Sequence, residues 1–319
     1  MPNTIQCLDS AHGEKWSIYR GDCVELIRQM PDRSIDFSVY SPPFADLFIY
    51  SESERDMGNC ANDDEFMEHY GHLLNEMYRV MRPGRICAVH VSDLPSRKSR
   101  EGFIGLRDFS GDVIRAHQSA GFIYHGRFTI WKDPVREMQR TKSHGLLYKN
   151  IREDSTRNRM GMPDYILLFK RPVNGKTEEA DVVKVTHTPE TFPLDDWQQI
   201  ASPVWTTRES DNDRKMMHLD HVWMDIDQGN TLNGRLARDE KDEKHMCPLQ
   251  LDVIDRLCLM YSNPGEVCLS PFTGIGSEGV GAVARGLRFV GCELKDSYFA
   301  VATRNLEATE DKRQVQLFG

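Results

Sequence analysis

Residues 266–293 read EVCLSPFTGIGSEGVGAVARGLRFVGCE. The pattern predicts a short apolar strand, a turn containing glycine (270–277), a helix of small residues (278–285), a second strand and then an acid, Glu293. This succession makes one complete nucleotide-binding unit of a parallel sheet. The stretch therefore indicates an α/β fold.

The glycine turn suits a bound adenosyl cofactor. Gly274 and Gly276 lack a β-carbon, so the chain can reverse sharply and a ligand can approach its backbone closely. Glu293 ends the next strand, where a carboxylate can accept hydrogen bonds from two ribose hydroxyls. The third glycine of the dinucleotide fingerprint G-x-G-x-x-G is absent, which argues against the alternative of a nicotinamide-dependent dehydrogenase.

The rest of the chain also alternates short strands with helices. The clearest helix has apolar residues at three- and four-residue spacing from Phe66 to Met81, and Pro83-Gly84 ends it. The predicted strands are 16–20, 35–40, 86–91, 165–170, 266–269 and 287–292, and the other predicted helices are 24–30, 251–261 and 278–285. The fold class is therefore α/β, a Rossmann-like, mostly parallel sheet with helices on both faces plus a smaller irregular insert.

A second turn, Ser41-Pro42-Pro43-Phe44, ends the predicted strand 35–40. Successive prolines cannot donate ladder hydrogen bonds, so the strand stops where open α/β sheets bind their ligands. Ser41 and the carbonyl of Pro42 can accept the two N–H bonds of an exocyclic base amine and so turn its lone pair toward a methyl donor. Pro43 stiffens the turn, and Phe44 offers a flat face for a base removed from a duplex.

Composition is that of an ordinary globular protein. Of 319 residues, 39% are hydrophobic and 28% are charged. No run of 18 apolar residues occurs, so no membrane span is expected, and residues 1–20 lack the apolar core of a secretory signal. The eight cysteines include no C-x-x-C pair, which predicts reduced thiols in a cytoplasmic protein and no metal site.

Charge is distributed unevenly, although the formal net charge is −9. Residues 94–172 contain 16 Lys and Arg against 8 Asp and Glu, whereas residues 173–243 contain 8 against 16. A positive third beside acidic material suits a protein with one side that faces nucleic acid, and unequal solvated surface is the alternative explanation.

The motifs together resemble the permuted, β-class amino-methyltransferases of bacterial and phage DNA. Members of that family carry G-D-a, then [DNS]-P-P-[YF], and near the C-terminus D-P-F-x-G-x-G before an acidic strand end. The matching residues are Gly21-Asp22-Cys23, Ser41 to Phe44, Ser270 to Gly276 and Gly291-Cys292-Glu293, and 244–249 resembles the segment before the cofactor helix. The match covers residues 14–91 and 244–308, with a looser match over 163–172.

The resemblance implies S-adenosylmethionine as cofactor and double-stranded DNA as partner. The residues that it implies are Ser41, Pro42, Pro43 and Phe44 for catalysis, and Asp22, Cys23, Ser270, Phe272, Thr273, Gly274, Gly276 and Glu293 for the cofactor. Glu293 would hold the ribose, and Asp22 and Cys23 would lie beside the adenine. One departure is Ser270, where the family usually has Asp, so that a hydroxyl replaces an acidic partner for the cofactor.

The implied reaction is direct methyl transfer to the exocyclic nitrogen of a base flipped out of a specific duplex sequence. Serine at the first position of the Ser-Pro-Pro-Phe turn favours cytosine N4 within the family, whereas aspartate favours adenine N6, which is the alternative. A non-catalytic relative that keeps the cofactor or DNA surface also stays open, as does methyl transfer to RNA or to a small molecule.

The family usually places target recognition just before the cofactor segment, which here is residues 173–243. That region is acidic and poorly suited to phosphates, so we expect the basic stretch to contact the DNA backbone. The expected residues are Arg127, Lys132, Arg136, Arg140, Lys142, Lys149, Arg152, Arg157 and Arg159.

The expected organisation is a catalytic half (14–172), a target-recognition insert (173–243), a cofactor-binding half (244–308) and a C-terminal tail (309–319). A DNA partner implies a cytoplasmic, nucleoid-associated location. The resemblance adds a second copy of the chain and a companion restriction endonuclease as candidate partners.

Overall fold

The structure is a computed structural model, and it describes residues 5–43, 60, 63–96, 102–103, 105–132, 152–157, 161–208, 223–227, 229–232 and 249–318. The strands are β1 (Asp9–His12), β2 (Trp16–Arg20), β3 (Phe37–Tyr40), β4 (Ile86–Val91), β5 (Leu94–Pro95), β6 (Leu106–Arg107), β7 (Ile123–Trp131), β8 (Asp164–Lys170), β9 (Val204–Arg208), β10 (Trp223–Asp227), β11 (Val267–Ser270) and β12 (Arg288–Glu293). The helices are α1 (Cys23–Arg28), α2 (Asp63–Val80), α3 (Phe109–Ser119), α4 (Gly175–Ala180), α5 (Leu194–Ile200), α6 (Leu251–Tyr261), α7 (Ser277–Ala284) and α8 (Asp296–Phe318), with a 3₁₀ turn at Ser155–Arg157.

Within the described residues, ten strands form one sheet in the order β1-β2-β12-β11-β3-β4-β8-β7-β9-β10. The neighbouring strands β2, β12, β11, β3 and β4 are all parallel to one another. Strands β9 and β10 are parallel to β7. Only β1 and β8 run in the opposite direction within this sheet. The prediction of a mostly parallel sheet is confirmed.

Helices cover both faces of the sheet because its central strands bury side chains on both sides. In β4, Ile86 and Ala88 join the cluster that contains α6, α7 and α8, whereas Cys87, Val89 and Val91 join the cluster that contains α1, α2 and α3. Alternate side chains of a strand point to opposite faces, and a parallel sheet is stable only when both faces are covered. The prediction of two helical layers is therefore also confirmed.

The described parts of residues 173–243 contribute two strands to the main sheet. There β9 pairs with β7, and β10 pairs with β9. The sequence patterns did not predict β7 or α3. In β7 no side chain is buried over the first half of the strand, where exposed and half-buried residues alternate, so its apolar pattern is weak.

Candidate active site at the carboxyl edge of the sheet

The topology brings the sequence motifs to one edge of the sheet. Parallel strands β2, β12, β11, β3 and β4 all end at this edge. Ser270 and Glu293 are the last residues of β11 and β12, and Gly21 and Ser41 directly follow β2 and β3. Strand β8 runs in the opposite direction and therefore begins at this edge, with Asp164. This edge is where open α/β sheets bind ligands.

The glycine turn, residues 270–276, closes on Glu293. The backbone N–H of Gly274 donates to Glu293 Oε2 at 2.7 Å, and Lys295 N–H donates to Glu293 Oε1 at 2.9 Å. Gly274 has φ +54°, and a β-carbon built on it would meet no described atom within 4 Å. Gly276 has φ +94° and lies close to Ala302, so its β-carbon would be only 3.3 Å from the neighbouring helix. The turn thus presents an open backbone surface at Gly274.

Two hydroxyls beside this turn fit a polar ligand. Ser270 Oγ and Ser277 Oγ are buried and have no hydrogen-bond partner among the described residues. A buried hydroxyl without a partner costs free energy that a ligand's polar groups can recover. The residues present therefore fit the adenosyl cofactor that the resemblance implies, even with Ser270 in place of the usual aspartate.

The remaining predicted cofactor residues occupy distinct positions. Thr273 is buried and its Oγ1 donates to the Ser270 carbonyl at 3.4 Å, so it supports the turn. The ring of Phe272 lies 5.8 Å from that of Tyr40, the residue before the Ser-Pro-Pro-Phe turn. Asp22 caps α1 by accepting from the backbone N–H groups of Val24 and Glu25. Of these contacts, the one between Phe272 and Tyr40 joins the glycine turn to the Ser-Pro-Pro-Phe turn.

Cys23 begins α1 beside the same edge. Burial raises the pKa of the Cys23 thiol well above its ordinary value, and Cys292 and Asp22 raise it further. The Cys23 side chain is therefore uncharged and presents a mainly apolar surface at this edge. The predicted segment 244–249 lies outside the described residues except for Leu249, which is part of the core.

Two sets of contacts hold the Ser-Pro-Pro-Phe turn, one through Tyr40 and one through Ser41. The Tyr40 hydroxyl lies 2.9 Å from the Tyr70 hydroxyl in the core. Ser41 Oγ lies 2.6 Å from His90 Nδ1 and 3.2 Å from the His90 carbonyl oxygen. Pro42 is buried and Pro43 is half-buried, whereas Phe44 lies outside the described residues. The turn therefore holds the Ser41 hydroxyl in one place at the edge.

A polar chain, which we define as Ser41, His90, Asp164 and Lys132, continues from this turn. His90 Nε2 lies 3.0 Å from Asp164 Oδ2, and Lys132 Nζ lies 2.5 Å from the same oxygen. Burial alone would raise the pKa of Asp164, but the charge of Lys132, the electrostatic interaction with His90 and the hydrogen bonds from both residues hold it well below its usual range. Asp164 is therefore ionised at neutral pH. Sequence analysis did not identify His90 or Asp164, although a histidine inside the buried run 86–91 was a usable signal.

The described residues among those predicted to contact DNA differ in their surroundings. Arg127 and Arg152 are exposed, and the Arg127 guanidinium lies 5.0 Å from the centre of the Tyr165 ring. Lys132 differs, because its side chain is only 14% exposed and its ammonium pairs with Asp164. Arg157 is in the 3₁₀ turn. The residues outside the described part are Arg136, Arg140, Lys142, Lys149 and Arg159.

Glu278, a buried acid next to the glycine turn, is expected to make the free energy of unfolding depend on pH. Burial raises the pKa of Glu278 to about 8, and the nearby Glu293 carboxylate adds to the effect. The folded state then holds a proton that the unfolded state has already released, so stability is present below the unfolded pKa and is lost as pH rises toward 8. We expect the free energy of unfolding of the unliganded protein to fall between pH 5 and 8 relative to Glu278→Gln, by at most about 1.4 kcal/mol per pH unit.

Urea unfolding of the wild type and Glu278→Gln at several pH values measures this difference. The matched control is Glu307→Gln at an exposed position of α8, which should keep the wild-type pH dependence. If Glu278→Gln keeps it as well, the buried acid is not its source.

Comparison with known proteins gives consistent matches. Residues 35–304 match the family model described as DNA methylase. The chain is 22% identical over 299 residues to the type II methyltransferase M.BglII of Bacillus subtilis, a match that covers 92% of this chain and 70% of that protein. The structure of TTHA0409 from Thermus thermophilus, complexed with S-adenosyl-L-methionine, aligns with TM-score 0.60 at 19% identity over 92% of this chain and 95% of that one. PvuII DNA methyltransferase, named cytosine-N4-specific, aligns with TM-score 0.58 at 15% identity over 93% and 91%.

Proposed function

Because the chain belongs to the N6/N4 DNA methylase family, we propose that it transfers a methyl group from S-adenosylmethionine to the exocyclic N4 of cytosine in a specific duplex sequence. The observation that carries this proposal is the adjacency of its two turns. The Ser-Pro-Pro-Phe turn and the glycine turn follow the parallel neighbours β3 and β11, and the rings of Tyr40 and Phe272 lie 5.8 Å apart. A target amine at one turn would therefore lie beside a cofactor at the other.

Residues of the glycine turn would hold the cofactor. Glu293 would bind its ribose hydroxyls, while the backbone at Gly274 and the hydroxyls of Ser270 and Ser277 would face its polar groups. Asp22 and Cys23, at the end of the neighbouring strand β2, would lie beside its adenine. When bound, S-adenosylmethionine supplies a methyl group activated by a sulfonium.

Residues of the Ser-Pro-Pro-Phe turn would prepare the amine. An exocyclic amino nitrogen is a poor nucleophile because its lone pair is delocalised into the ring. Hydrogen bonds from its two N–H groups to Ser41 Oγ and to the Pro42 carbonyl would favour a tetrahedral nitrogen with its lone pair directed at the methyl group. A base flipped out of the duplex would stack on Phe44. Positioning and exclusion of water would supply most of the acceleration.

Cytosine is preferred over adenine because of Ser41. A neutral hydroxyl is shorter than a carboxylate and changes the depth of the pocket at the position where adenine-specific members usually have aspartate. Adenine N6 remains the second candidate, since the same turn chemistry serves both amines.

The test is to incubate the purified protein with unmethylated mixed-sequence DNA and methyl-labelled S-adenosylmethionine, then digest the DNA and identify the labelled nucleoside by mass. The expected product is N4-methylcytosine. N6-methyladenine would overturn the base assignment and keep the reaction. Absence of label, with cofactor binding measured separately, would indicate the non-catalytic relative, and labelled RNA in a parallel reaction would indicate another substrate.

The exposed arginines would contact the DNA backbone, while residues 173–243 would read the target sequence. We expect Arg127→Ala to weaken binding to all sequences alike and to reduce the slope of log affinity against log salt by about one, because one phosphate contact is lost. Filter binding at several salt concentrations measures this slope. The control is Arg288→Ala, an exposed arginine at the start of β12 and thus at the opposite edge of the sheet. An unchanged slope for Arg127→Ala would remove Arg127 from the interface.

Location and partners follow from the same proposal. Among the described residues, no helix is long and apolar enough to cross a membrane. A DNA substrate would place the protein in the cytoplasm with the nucleoid. The type II name of the relative supports a companion restriction endonuclease, and pairing of two copies is a further proposal that sedimentation would test.

A further inference from the structure

We propose that His90, oriented by Asp164 and Lys132, receives through Ser41 the proton that the target amine must lose. The inference rests on the proposed function and extends it to three residues of the polar chain that act behind the Ser-Pro-Pro-Phe turn. His90 and Asp164 act through Ser41, so they are positioning residues.

The ionised state of Asp164 gives a direction to each hydrogen bond in the polar chain. Asp164 is an ionised, buried carboxylate, so it accepts hydrogen bonds from Lys132 Nζ at 2.5 Å and from His90 Nε2 at 3.0 Å. With its proton on Nε2, a neutral His90 presents the Nδ1 lone pair to Ser41 Oγ at 2.6 Å. The Ser41 hydroxyl, which also lies 3.2 Å from the His90 carbonyl oxygen, then donates to the nearer Nδ1, and its oxygen lone pairs remain to accept an N–H of the base.

The reaction needs such an acceptor. When the amine nitrogen bonds to the methyl carbon, the bond from that carbon to sulfur breaks and the positive charge moves to the nitrogen. The nitrogen must then release one proton to become a neutral methylamine. That proton passes to Ser41 Oγ as the Ser41 proton passes to His90 Nδ1, which leaves serine unchanged and His90 as an imidazolium. Solvent later takes the proton from His90, and no other reactant is needed.

The groups around His90 can balance the charge that it gains when it receives the proton. Asp164 faces His90 from the start of β8, Lys132 reaches Asp164 from just after β7, and Ser41 faces it from the end of β3. The pair of Asp164 and Lys132 is neutral overall, with the carboxylate next to the ring. His90 and Asp164 are both buried, so these charges act with little screening by solvent. The arrangement has the same order of groups as a serine, histidine and aspartate triad, but here serine is an acceptor and not a nucleophile.

The experiment compares wild type, His90→Ala and His90→Asn in single-turnover methyl transfer between pH 5.5 and 9, with and without added imidazole. We expect His90→Ala to be about 100-fold slower, to lose the pH dependence of the wild type, and to regain about tenfold with imidazole. Cofactor affinity should stay within about twofold in each variant, because the His90 ring contacts Ser41 and Asp164, on the side of the site where the amine is expected. The control is His72→Ala, an exposed histidine of α2, which should behave as wild type.

A purely structural role for His90, in which it only holds the turn in place, predicts a different result. His90→Asn keeps a polar side chain at this position, so a purely structural role would leave this variant fast and its pH profile unchanged. That outcome, or a slow His90→Ala that imidazole does not rescue, overturns the relay. If His90→Ala fails to fold, which urea unfolding shows, His90→Asn carries the test.

A measurement without turnover checks the same point. Nitrogen-15 NMR of histidine-labelled protein without cofactor or DNA should find the His90 proton on Nε2, and Asp164→Asn should weaken that preference. A proton on Nδ1 overturns the relay. A wild type that labels no base overturns the proposed function together with the relay, whereas a labelled base with fully active His90 variants overturns the relay alone.

Discussion

Ser41→Ala should slow methyl transfer about 100- to 1,000-fold and leave the affinity for S-adenosylmethionine unchanged. The substitution removes the oxygen that accepts an amine N–H and, in our inference, the bridge between the amine and His90. It leaves the backbone carbonyl of Pro42 and the anchoring contact of Tyr40 with Tyr70 in place. A lower rate with intact cofactor binding would mean that Ser41 acts on the reacting amine. Rapid-quench transfer of a labelled methyl group and calorimetric cofactor binding measure the two quantities.

Ser92→Ala is the matched control for that variant. Ser92 is a half-buried serine just past the end of the neighbouring strand β4, where its hydroxyl donates to the Pro163 carbonyl at 3.2 Å. The variant loses a similar hydroxyl at the same edge of the sheet and should retain nearly the full rate. Equal losses for Ser41→Ala and Ser92→Ala would mean that the edge is merely sensitive to substitution, and the role given to Ser41 would be wrong.

Gly274→Leu should weaken cofactor binding at least about 30-fold, equal to about 2 kcal/mol. A β-carbon at Gly274 meets no described atom within 4 Å, so a side chain added there starts in open space. The Gly274 N–H donates to Glu293 Oε2, which is expected to bind the cofactor. The left-handed backbone, with φ +54°, adds a stability cost of about 1–2 kcal/mol that must be separated from the binding effect.

Gly265→Leu provides that separation. Gly265 also has a positive φ, +82°, and also has open space around a built β-carbon, but it precedes β11 at the opposite edge of the sheet. The two variants should lose similar stability in urea unfolding, and only Gly274→Leu should lose cofactor affinity. If both bind the cofactor as tightly as wild type does, the cofactor does not lie on the glycine turn.

Short sequence windows were sufficient for about half of the described strands and helices and for both turns. Helix α2 follows from its apolar spacing and from the Pro83-Gly84 stop, and β4 was predicted with its observed bounds. Ser41 and Gly274 were found because each stands in a turn that ends an apolar strand. These features are local: side-chain period, proline's missing N–H and glycine's missing β-carbon act within a few residues.

Predicted bounds were wrong where a distant contact decides them. The strand predicted at 35–40 begins only at Phe37, and Ile35 instead makes an isolated bridge to Met81. Between these residues, Asp36 turns its carboxylate to the backbone N–H of Val267. Pairing of residues so far apart in the chain leaves no mark in a short window.

The sequence by itself determined the order of the elements that carry the motifs, the two turns and hence the family resemblance. Only the tertiary structure decided which residues contact Ser41 and continue the polar chain. Strand β8 runs antiparallel between β4 and β7, and that direction places its first residue, Asp164, at the same edge as His90 and Lys132. Had β8 run parallel to its neighbours, Asp164 would lie at the far edge of the sheet. The direction of a strand depends on the packing of long connections across the whole sheet. Local sequence patterns therefore identified Ser41 but not the residues that hold it.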